Sequence, residues 1–530
     1  MRTELDLVLS PQEAATPSGC AASAAKALNL SPERISAVRV LRRSVDARRR
    51  PIAVLLRVLA VADEPEPRFE EPTFRYDDTA GKPPVLVVGA GPAGLFAALR
   101  LIEAGFRPVV FERGKDVSAR KRDIAQLYRE HALNPESNYC FGEGGAGTFS
   151  DGKLYTRSKK RGDNRRALEI LRFHGAAAEI LYEAHPHIGS DKLPAVIAAL
   201  RATILRAGGE IRFDARVDGL VLRDGRATGV KLHSGDEIEG NAVVLATGHS
   251  ARDVYEMLQR SNVRLEAKPF AMGVRIEHPQ ALINAIQYHR EPEQIPYLPP
   301  AAYSLVQQVA GRGVYSFCMC PGGFIVPAAT APGETVVNGM SPSLRNTPFA
   351  NSGIVVEVRA EDFGAYASHG PLAGLRYQQA LEQAAFRQAG GGQTAPAQRV
   401  SDFVACRPSL DLPETSYLPG LVASPLHAWL PPVLGDRLRE GLRAFDRKMR
   451  GFLTRDAILV GVESRTSSPV RIPRDPETLQ HVHVRGLYPC GEGAGYAGGI
   501  LSSAIDGENS AAAAAAWLSS NPALLMRSNP

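Results

Sequence analysis

The chain has few cysteines, no long hydrophobic run and little excess charge of either sign. Its 530 residues include six cysteines, and only Cys318 and Cys320 lie close together, which is not the ligand spacing of a zinc site. No apolar run approaches the ~20 residues of a membrane span, and residues 1–20 lack the apolar core of a signal peptide. We therefore expect a cytoplasmic protein with no membrane span and no bound metal.

The charge balance gives no indication of a polyanionic partner. The 62 basic and 56 acidic residues leave a formal charge of +6, which is small for a chain of this length. A chain of 530 residues is long enough to form more than one domain and to bury a cofactor.

A glycine-rich turn between an apolar strand and a helix is the strongest motif. Residues 85–94 read VLVVGAGPAG and are followed by a helical pattern, and the apolar strand 108–111 then ends at Glu112. This order is the fingerprint of a dinucleotide-binding βαβ unit. Gly89 permits the turn, Gly91 lets the backbone approach a pyrophosphate, and Gly94 lets the helix pack against the strand.

Glu112 is expected to accept hydrogen bonds from the adenosine ribose, and a carboxylate there disfavours the 2′-phosphate of NADP. The helix that begins at Pro92 and Ala93 offers unpaired N–H groups to the phosphates. Arg113, next to Glu112, is a further candidate at this end of the site.

A second string, residues 142–147, also reads G-x-G-x-x-G, but no apolar strand precedes it and no helix follows it. It is therefore not a second dinucleotide fingerprint. We expect a loop that passes close to a flat ligand and donates backbone N–H groups from Gly144 and Gly145.

The pattern of apolar residues divides the chain into blocks and predicts an α/β protein. We expect a discontinuous Rossmann-like domain that binds FAD or NAD, an inserted α+β substrate domain in the irregular middle block, and a small N-terminal α+β domain. The predicted ranges are 1–62 for the N-terminal domain, 63–84 for a linker, 85–261 and 456–520 for the two parts of the cofactor-binding domain, 262–455 for the substrate domain and 521–530 for a tail.

The order of the motifs resembles a known family. The strings FGEGGAGTFSDGKL (141–154), ATGHSARD (246–253), GVESRTSSPVRI (461–472) and GEGAGYAGGI (491–500) resemble bacterial proteins called uncharacterised FAD-dependent dehydrogenases. These are similar to FAD-binding oxidoreductases of the glutathione-reductase type, in the branch of para-hydroxybenzoate hydroxylase. The resemblance spans about residues 85–515.

The resemblance implies further cofactor contacts. Val217 matches a position whose backbone meets adenine, and Glu492 stands where the wider family has Asp near the ribityl chain or pyrophosphate. The remaining positions that it implies lie at a strand end, a second strand end and a helix start: Ala246, Thr247, Gly248, Gly491, Gly499 and Ile500. N–H groups at that helix start would face the flavin pyrimidine, where negative charge accumulates on reduction.

Candidates for catalysis follow from position along the chain. Arg465 and Thr466 lie between the middle block and the last cofactor strand, where they could line the flavin face, against the alternative of a salt-bridged structural arginine. Lys153 follows the second glycine loop and is a further candidate. The alternative is an ordinary solvent-exposed loop lysine. His249, two residues past Thr247, is a weaker candidate whose alternative is a structural histidine.

Two motifs suggest other functions, and each has an ordinary structural alternative. Cys318 and Cys320 suggest a dithiol, but the short spacing favours buried or turn-forming thiols. The basic run Arg39, Arg42, Arg43, Arg48, Arg49 and Arg50 suggests RNA phosphates, but no aromatic residues interleave with it, which favours a solvated or domain-docking surface.

We therefore expect an FAD-dependent oxidoreductase that transfers a hydride between flavin and a small organic substrate, with NAD(P)H as a transient donor. The alternatives are a flavin monooxygenase, a flavoprotein that acts on RNA, and a non-redox protein with structural FAD. Substrate identity, direction and oligomeric state are not readable from the chain.

Overall fold

The computed structural model describes residues 1–48, 50–65, 67–68, 70–155, 162–289 and 297–525. Arg49 of the basic run and positions 526–530 of the expected tail lie outside the described residues.

The N-terminal unit is a three-stranded antiparallel sheet in the order β1-β3-β2, covered by a helix. Its elements are β1 (Arg2–Leu9), α1 (Pro11–Ala14), α2 (Pro17–Leu28), β2 (Ile35–Asp46) and β3 (Ala53–Ala62). Alternating residues of β3, Val54, Leu56 and Val58, form its core with Ala24 of the helix. The structure thus has the small N-terminal α+β domain that the sequence predicts.

The next segment contributes most of a doubly wound unit. Its elements are β4 (Pro84–Val88), α3 (Pro92–Glu103), β5 (Arg107–Phe111), α4 (Val117–Glu130), α5 (Asn164–Phe173), α6 (Leu193–Arg206), β6 (Glu210–Arg212), β7 (Val217–Arg223), β8 (Arg226–Leu232), β9 (Glu237–Glu239), β10 (Val243–Leu245) and α7 (Arg252–Arg260). The C-terminal segment adds a last strand, β22 (Leu487–Pro489), and helix α13 (Ile500–Ser519).

A five-stranded parallel sheet in the order β22-β10-β4-β5-β6 forms the centre of this unit. Strand β4 is apolar throughout because both of its faces are buried. Val85 and Val87 pack against helices α3, α6 and α13, whereas Leu86 and Val88 pack against the antiparallel sheet β7-β8-β9. The structure confirms the predicted α/β class and its Rossmann-like unit.

The middle segment is more regular than its sequence suggested. Its elements are β11 (Glu266–Ala267), β12 (Phe270–Pro279), α8 (Gln280–Tyr288), β13 (Val306–Val309), β14 (Arg312–Cys320), β15 (Phe324–Pro327), β16 (Val337–Met340), β17 (Phe349–Val358), α9 (Ala373–Gln388), β18 (Ala395–Arg399), α10 (Val400–Val404), β19 (Leu421–Ala423), α11 (Leu426–Trp429), α12 (Pro432–Lys448), β20 (Ile458–Glu463) and β21 (Val470–Arg471).

Seven of these strands form one sheet in the order β13-β14-β17-β12-β20-β18-β19. The central strands β12, β17 and β20 are buried along nearly their whole length, so no polar and apolar alternation marked them in the sequence. Strand β20 pairs with β12 and β18, so this sheet extends past residue 455, the predicted end of the middle block.

Helices α3 and α13 pack closely in front of the parallel sheet, and one glycine makes this possible. A Cβ atom on Gly507 of α13 would lie 2.0 Å from the carbonyl oxygen of Ala93 in α3. The starts of both helices consequently lie on the same side of the sheet, at its carboxyl edge.

In the part of the chain that the structure describes, no helix is long and apolar enough to cross a lipid bilayer.

We predict that Gly507→Ala forces α3 and α13 apart and lowers stability by about 1–3 kcal/mol, the usual cost of overpacking. The control is Gly435→Ala in α12, where the new Cβ would be 3.7 Å from its nearest neighbour. That change should be neutral or stabilising, because Ala is the better helix former. Urea unfolding of both variants checks this, and equal midpoints would contradict the packing argument.

Candidate functional site

One cavity lies between the carboxyl edge of the parallel sheet and the middle segment, and most of the predicted site residues line it. The predicted residues in its wall are Gly89, Gly91, Pro92, Ala93, Glu112, Arg113, Gly145, Lys153, Val217, Ala246, Thr247, Gly248, His249, Arg465, Thr466, Gly491, Glu492, Gly499 and Ile500. Two other predicted residues, Gly94 and Gly144, do not line the cavity. Residues as far apart in sequence as Gly89 and Ile500 therefore meet in one site.

The first glycine turn is packed too tightly for side chains. Gly89 has a φ of +103°, and a Cβ there would lie 2.4 Å from the carbonyl oxygen of Ala246. A Cβ on Gly94 would lie 1.8 Å from the carbonyl oxygen of Gly89, which is the close helix-to-strand packing that the sequence predicted. Gly91 is the N-cap of α3 and no side chain caps this helix, so its first N–H groups are available at the cavity.

Glu112 has a different set of partners from those we expected. Its carboxylate is buried and accepts N–H groups from Ala90 at 2.9 Å, Gly114 at 3.0 Å and Gly142 at 2.9 Å. A carboxylate accepts about four hydrogen bonds, so Glu112 keeps room for one ligand hydroxyl. It fixes the two glycine loops as well as facing the cavity.

The second glycine loop lies directly against the first. The N–H of Gly144 is donated to Ala90 at 2.8 Å and that of Gly145 to Gly142 at 2.8 Å. Our expectation that these two groups donate to a ligand is therefore wrong, because the protein already uses them. Gly145 is still a wall residue, since a Cβ there would lie 3.1 Å from Cα of Gly91.

Arg120 of α4 holds the second loop in place, and sequence reasoning missed it. Its guanidinium is fully buried and donates to the carbonyls of Asn138 at 2.8 Å, Tyr139 at 3.0 Å and Glu143 at 2.7 Å. Burial lowers the pKa of Arg120 to about 10. Nothing marks it among the other basic residues of α4, because its partners are backbone carbonyls.

Arg113 lines the cavity but is committed to acidic partners. It donates to Glu136 at 2.7 Å and to Asp253 at 2.9 Å, and its guanidinium lies 4.3 Å from the centre of the Phe141 ring. Burial alone lowers its pKa, but the two carboxylates outweigh burial and raise it. The group thus forms a fixed cationic wall beside Val217.

The C-terminal wall is held by a buried ion pair that the sequence did not reveal. Arg474 donates to Asp506 at 2.6 Å, and Asp506 accepts the N–H of Gly491 at 2.8 Å. This pair anchors the turn that carries Glu492. Helix α13 begins with Gly499 as its N-cap and without a capping side chain, so its N-terminal N–H groups also reach the cavity.

His249 and Glu492 meet across the cavity wall. Nε2 of His249 lies 3.4 Å from Oε2 of Glu492. Burial, with the nearby Arg465, lowers the pKa of His249 to about 4, and burial raises the pKa of Glu492 to about 7 against the opposing effect of Lys268. At neutral pH the imidazole is neutral and the carboxyl is close to half protonated.

Arg465 belongs to a buried network of four ions. It contacts Glu382 at 2.9 Å and Glu334 at 3.2 Å and donates to Thr330 at 2.7 Å, and Arg252 contacts the same two glutamates at 2.6 and 2.8 Å. Burial alone raises the pKa of Glu382, but the two guanidinium groups outweigh it and hold the pKa well below its ordinary value. These contacts fit the structural alternative for Arg465. Thr466 donates its hydroxyl to the carbonyl of Ala271 at 2.8 Å.

Lys153 projects into the opposite wall, beside the Cys318–Cys320 turn. Its ammonium donates to the carbonyl of Met319 and lies 3.4 Å from Asp151 and 3.6 Å from the sulfur of Cys320. Burial alone lowers its pKa, but Cys320 and Asp151 outweigh burial and raise it. Lys153 is therefore a charged group at the cavity surface.

The wall fits a dinucleotide with a flat ring. Gly248, Gly498 and Gly499 each have open space where a Cβ would stand, so backbone approaches the cavity without side chains. Two uncapped helix starts supply N–H groups for anionic parts of a ligand. Over the described stretches of the chain, no three His, Cys, Asp or Glu side chains gather as metal ligands.

Two arginines of the N-terminal basic run are paired with acids. Arg43 lies 3.7 Å from Glu183, Arg48 2.9 Å from Asp46, and the backbone of Arg43 forms two hydrogen bonds with residues 182 and 184. Arg43 therefore joins the N-terminal unit to the segment at 182–184.

Known protein families match four segments of the chain. Residues 87–142 match an NAD(P)-binding Rossmann-like domain, 193–302 an FAD dependent oxidoreductase, 269–466 the C-terminal domain-like part of FAD-dependent proteins, and 1–61 a domain of unknown function.

A protein of Clostridium beijerinckii named only as uncharacterized is 44% identical over 503 residues, which cover 91% of this chain and 93% of that protein. Protein FixC of Salmonella typhi is 30% identical over 205 residues, which cover 37% of this chain and 44% of FixC. A solved geranylgeranyl bacteriochlorophyll reductase-like protein of Thermoplasma acidophilum covers 84% of this chain and 81% of its own at 12% identity, with a TM-score of 0.35, too low to support an argument.

We predict that Glu112→Gln weakens dinucleotide binding at least about tenfold. An amide accepts through one oxygen only, and its NH₂ group would face an N–H donor, so at least one loop loses its anchor. FAD titration followed by flavin fluorescence measures the change. Glu210→Gln, at a half-exposed acid of the neighbouring strand β6, should bind as the parent does. Equal affinity in both variants would contradict the anchoring role.

We predict that the stability of the protein depends on pH through Glu492. Its pKa rises from an ordinary 4.5 to about 7, so the native state binds the proton more tightly and loses stability as pH rises between these values. Glu492→Gln lacks this loss. The free energy of unfolding of the variant, relative to that of the parent, should therefore increase between pH 4.5 and pH 7. Above pH 7 the increase should level off at about 3 kcal/mol.

Urea unfolding at a series of pH values measures the difference. Glu477→Gln, at an exposed acid of the same segment, is the control and should show a constant difference across the range. A constant difference for Glu492→Gln as well would show that its carboxyl is not perturbed.

Proposed function

Since the chain belongs to the FAD-dependent oxidoreductases, in one family with the Clostridium beijerinckii protein, we propose that it transfers a hydride between flavin and a small organic substrate held against the middle segment. The proposed donor is NAD(P)H that docks transiently. The proposed place within the wider class is the para-hydroxybenzoate hydroxylase branch of the glutathione-reductase type.

The observation that carries the proposal is the continuity of the cavity. One end is formed by the glycine turns and Glu112, and the other by Phe317, Asn338 and Met340 of the middle segment. A dinucleotide bound by its AMP part at the first end would present its ring end to the middle segment. A substrate enclosed there would lie within reach of the ring.

The chain's own residues would bind FAD mainly through backbone groups. The N–H groups at the start of α3 would bind the pyrophosphate, and Glu112 would accept a ribose hydroxyl with its remaining lone pair. FAD, when bound, supplies the two-electron chemistry, and the protein supplies orientation and electrostatics. The partial positive charge at the start of α13 would stabilise negative charge on the reduced ring.

At the ring end, Lys153 is the best candidate to contact the substrate. Its charge is held by Asp151 and Cys320, and it faces the cavity. Arg465 already donates four hydrogen bonds to Glu382, Glu334 and Thr330, so we assign it a positioning role. A charged lysine at this wall favours an anionic or carbonyl group on the substrate.

The His249 and Glu492 pair would handle protons at the cavity wall. With the carboxyl near half protonation at neutral pH, Glu492 can release or hold a proton at Oε2, and neutral His249 can accept a hydrogen bond from it at Nε2.

The test is the visible absorption spectrum of the purified protein, recorded without oxygen before and after adding NADH or NADPH. The proposal expects a flavin band that bleaches with one of the two nucleotides, because hydride transfer reduces the ring. Free FAD at the same concentration is the control for reduction without the protein.

Readmitting air or candidate substrates then distinguishes the reactions. Reoxidation by an organic acceptor supports the reductase, and oxygen uptake coupled to a hydroxylated product supports the monooxygenase. A band that dithionite bleaches but neither nucleotide nor substrate changes would favour structural FAD and overturn the proposal.

A further inference from the structure

A short segment, residues 182–189, lies between the N-terminal unit and the cavity wall. Strand β2 is an edge strand of the N-terminal sheet, and the segment pairs with its open side. Arg43 of β2 donates its N–H to the carbonyl of Tyr182 at 2.8 Å, and its own carbonyl accepts the N–H of Ala184 at 2.8 Å. The segment thus extends the N-terminal sheet through backbone hydrogen bonds.

The same segment also pairs with the part of the chain that carries Lys153. His187 and Lys153 form an antiparallel bridge. Leu154 donates its N–H to the carbonyl of Pro186 at 2.9 Å. Two sets of backbone hydrogen bonds therefore connect β2 with the lysine at the ring end of the cavity.

The N-terminal unit is fixed to the middle segment as well. Ile52, just before β3, is buried in the apolar core of the middle segment, and Val45 and Ala47 pack against the same core. Because burial of these side chains holds the unit in place, segment 182–189 has a fixed strand with which to pair.

The middle segment contacts the paired chains directly. Nε2 of His187 donates to the carbonyl of Ser343 at 3.1 Å, and Arg345 contacts Asp151 at 3.0 Å. Asp151 in turn lies 3.4 Å from Nζ of Lys153. The position of the lysine thus depends both on the strand pairing and on this group of ions.

The N-terminal unit adds positive charge near the same end of the cavity. Burial and the charges of Arg345 and Arg42 lower the pKa of His185. The ring of His185 packs on the ring of Tyr155, with centres 4.8 Å apart, and Tyr155 lines the cavity. The exposed Arg42 of β2 therefore lies near enough to act on groups at the edge of the cavity.

The acid at this end balances only part of the positive charge. Asp151 contacts both Lys153 and Arg345, so one carboxylate faces two cations. Arg42 adds a third positive charge. This arrangement favours an anionic group on a ligand at the ring end.

We propose that the N-terminal unit is part of the substrate site. It holds Lys153 at the ring end through segment 182–189, and its Arg42 adds to the positive charge there, so the site selects a substrate with an anionic group. This inference rests on the function proposed above, which identifies the ring end as the place of the substrate. The role of the N-terminal unit is positioning and electrostatic, and no chemical step is assigned to it.

The first test is hydrogen exchange of the FAD-loaded protein, read by mass spectrometry of digests. Arg43→Pro removes the N–H that binds Tyr182, and proline is tolerated in an edge strand where that N–H points away from the sheet. The N–H of Leu154 should then exchange about tenfold faster, the effect of one lost hydrogen bond on local opening. Arg43→Ala keeps the backbone N–H and should exchange as the parent does.

The N–H of Ala184 reports whether the contact with β2 is lost. Faster exchange at Ala184 with unchanged exchange at Leu154 would overturn the proposal, because the contact would have no effect on the chain that carries the lysine. Unchanged exchange at both positions would show that the contact is not made in solution and would overturn it too. These results keep their meaning if proline unfolds the N-terminal unit, since the segment loses its partner strand in either case.

The second test changes the charge and leaves the backbone intact. Iodide and acrylamide both quench the fluorescence of bound flavin by contact, but only iodide is charged, so the ratio of their quenching constants reports the electrostatic potential at the ring. Lys153→Met should lower this ratio about twofold. Arg42→Met should lower it by a smaller factor, because Arg42 does not itself line the cavity. Lys231→Met, at an exposed lysine of β8, should leave it unchanged.

Equal ratios in the Arg42→Met and Lys231→Met variants would overturn the electrostatic role of the N-terminal unit. Neither test uses a hydride donor or a substrate. A flavin that NADH and NADPH fail to bleach would therefore count against the proposed function and leave the exchange and quenching results unaffected.

Discussion

The buried carboxylate of Glu112 is the contact on which the site depends. It accepts N–H groups from both glycine loops, from Ala90 in the first and Gly142 in the second. Since Ala90 also accepts the N–H of Gly144, the loops are joined twice. The first loop fixes the start of α3 and the second carries the chain towards Lys153. One carboxylate oxygen accepts from Ala90 and the other from Gly114 and Gly142, so losing either oxygen would leave buried backbone donors of one loop without partners, at a cost of about 1–3 kcal/mol each.

The second constraint is that α3 and α13 begin at the same cavity. The contact between Gly507 and Ala93 lets the helices pack without an intervening side chain, and the pair Arg474 and Asp506 ties the turn before α13 to the sheet. Both helix starts then direct N–H groups and partial positive charge to one space. Such a space suits a ligand with an anionic centre and a ring that becomes negative on reduction.

Short sequence motifs were enough to predict the first glycine turn of the site. They did not predict the residues whose partners are distant in sequence. The turn at Gly89, Gly91 and Gly94 is specified by residues within ten positions of one another, so spacing alone identifies it. Arg120 and Arg275 act on partners brought near by folding, and no spacing marks them. The seven-stranded sheet was missed for a related reason: strands buried on both faces show no period of two. The expectation that Gly144 and Gly145 donate N–H groups to a ligand was wrong because Gly144 donates to the first loop and Gly145 donates to Gly142 within its own loop.

The two ends of the cavity differ in the groups that form their walls, and this difference indicates different roles. The cofactor end consists of glycine backbone and helix starts, which recognise phosphate and ring in any protein of this class. The ring end consists of ions held in networks. Arg465 has nearly all its donors occupied by Glu382, Glu334 and Thr330, so replacing its neighbours would disturb the junction between segments more than the bound substrate. Lys153 has fewer fixed partners and faces the cavity beside Cys320. In the function proposed above, the lysine would therefore contact the substrate, while the arginine would keep the wall in position.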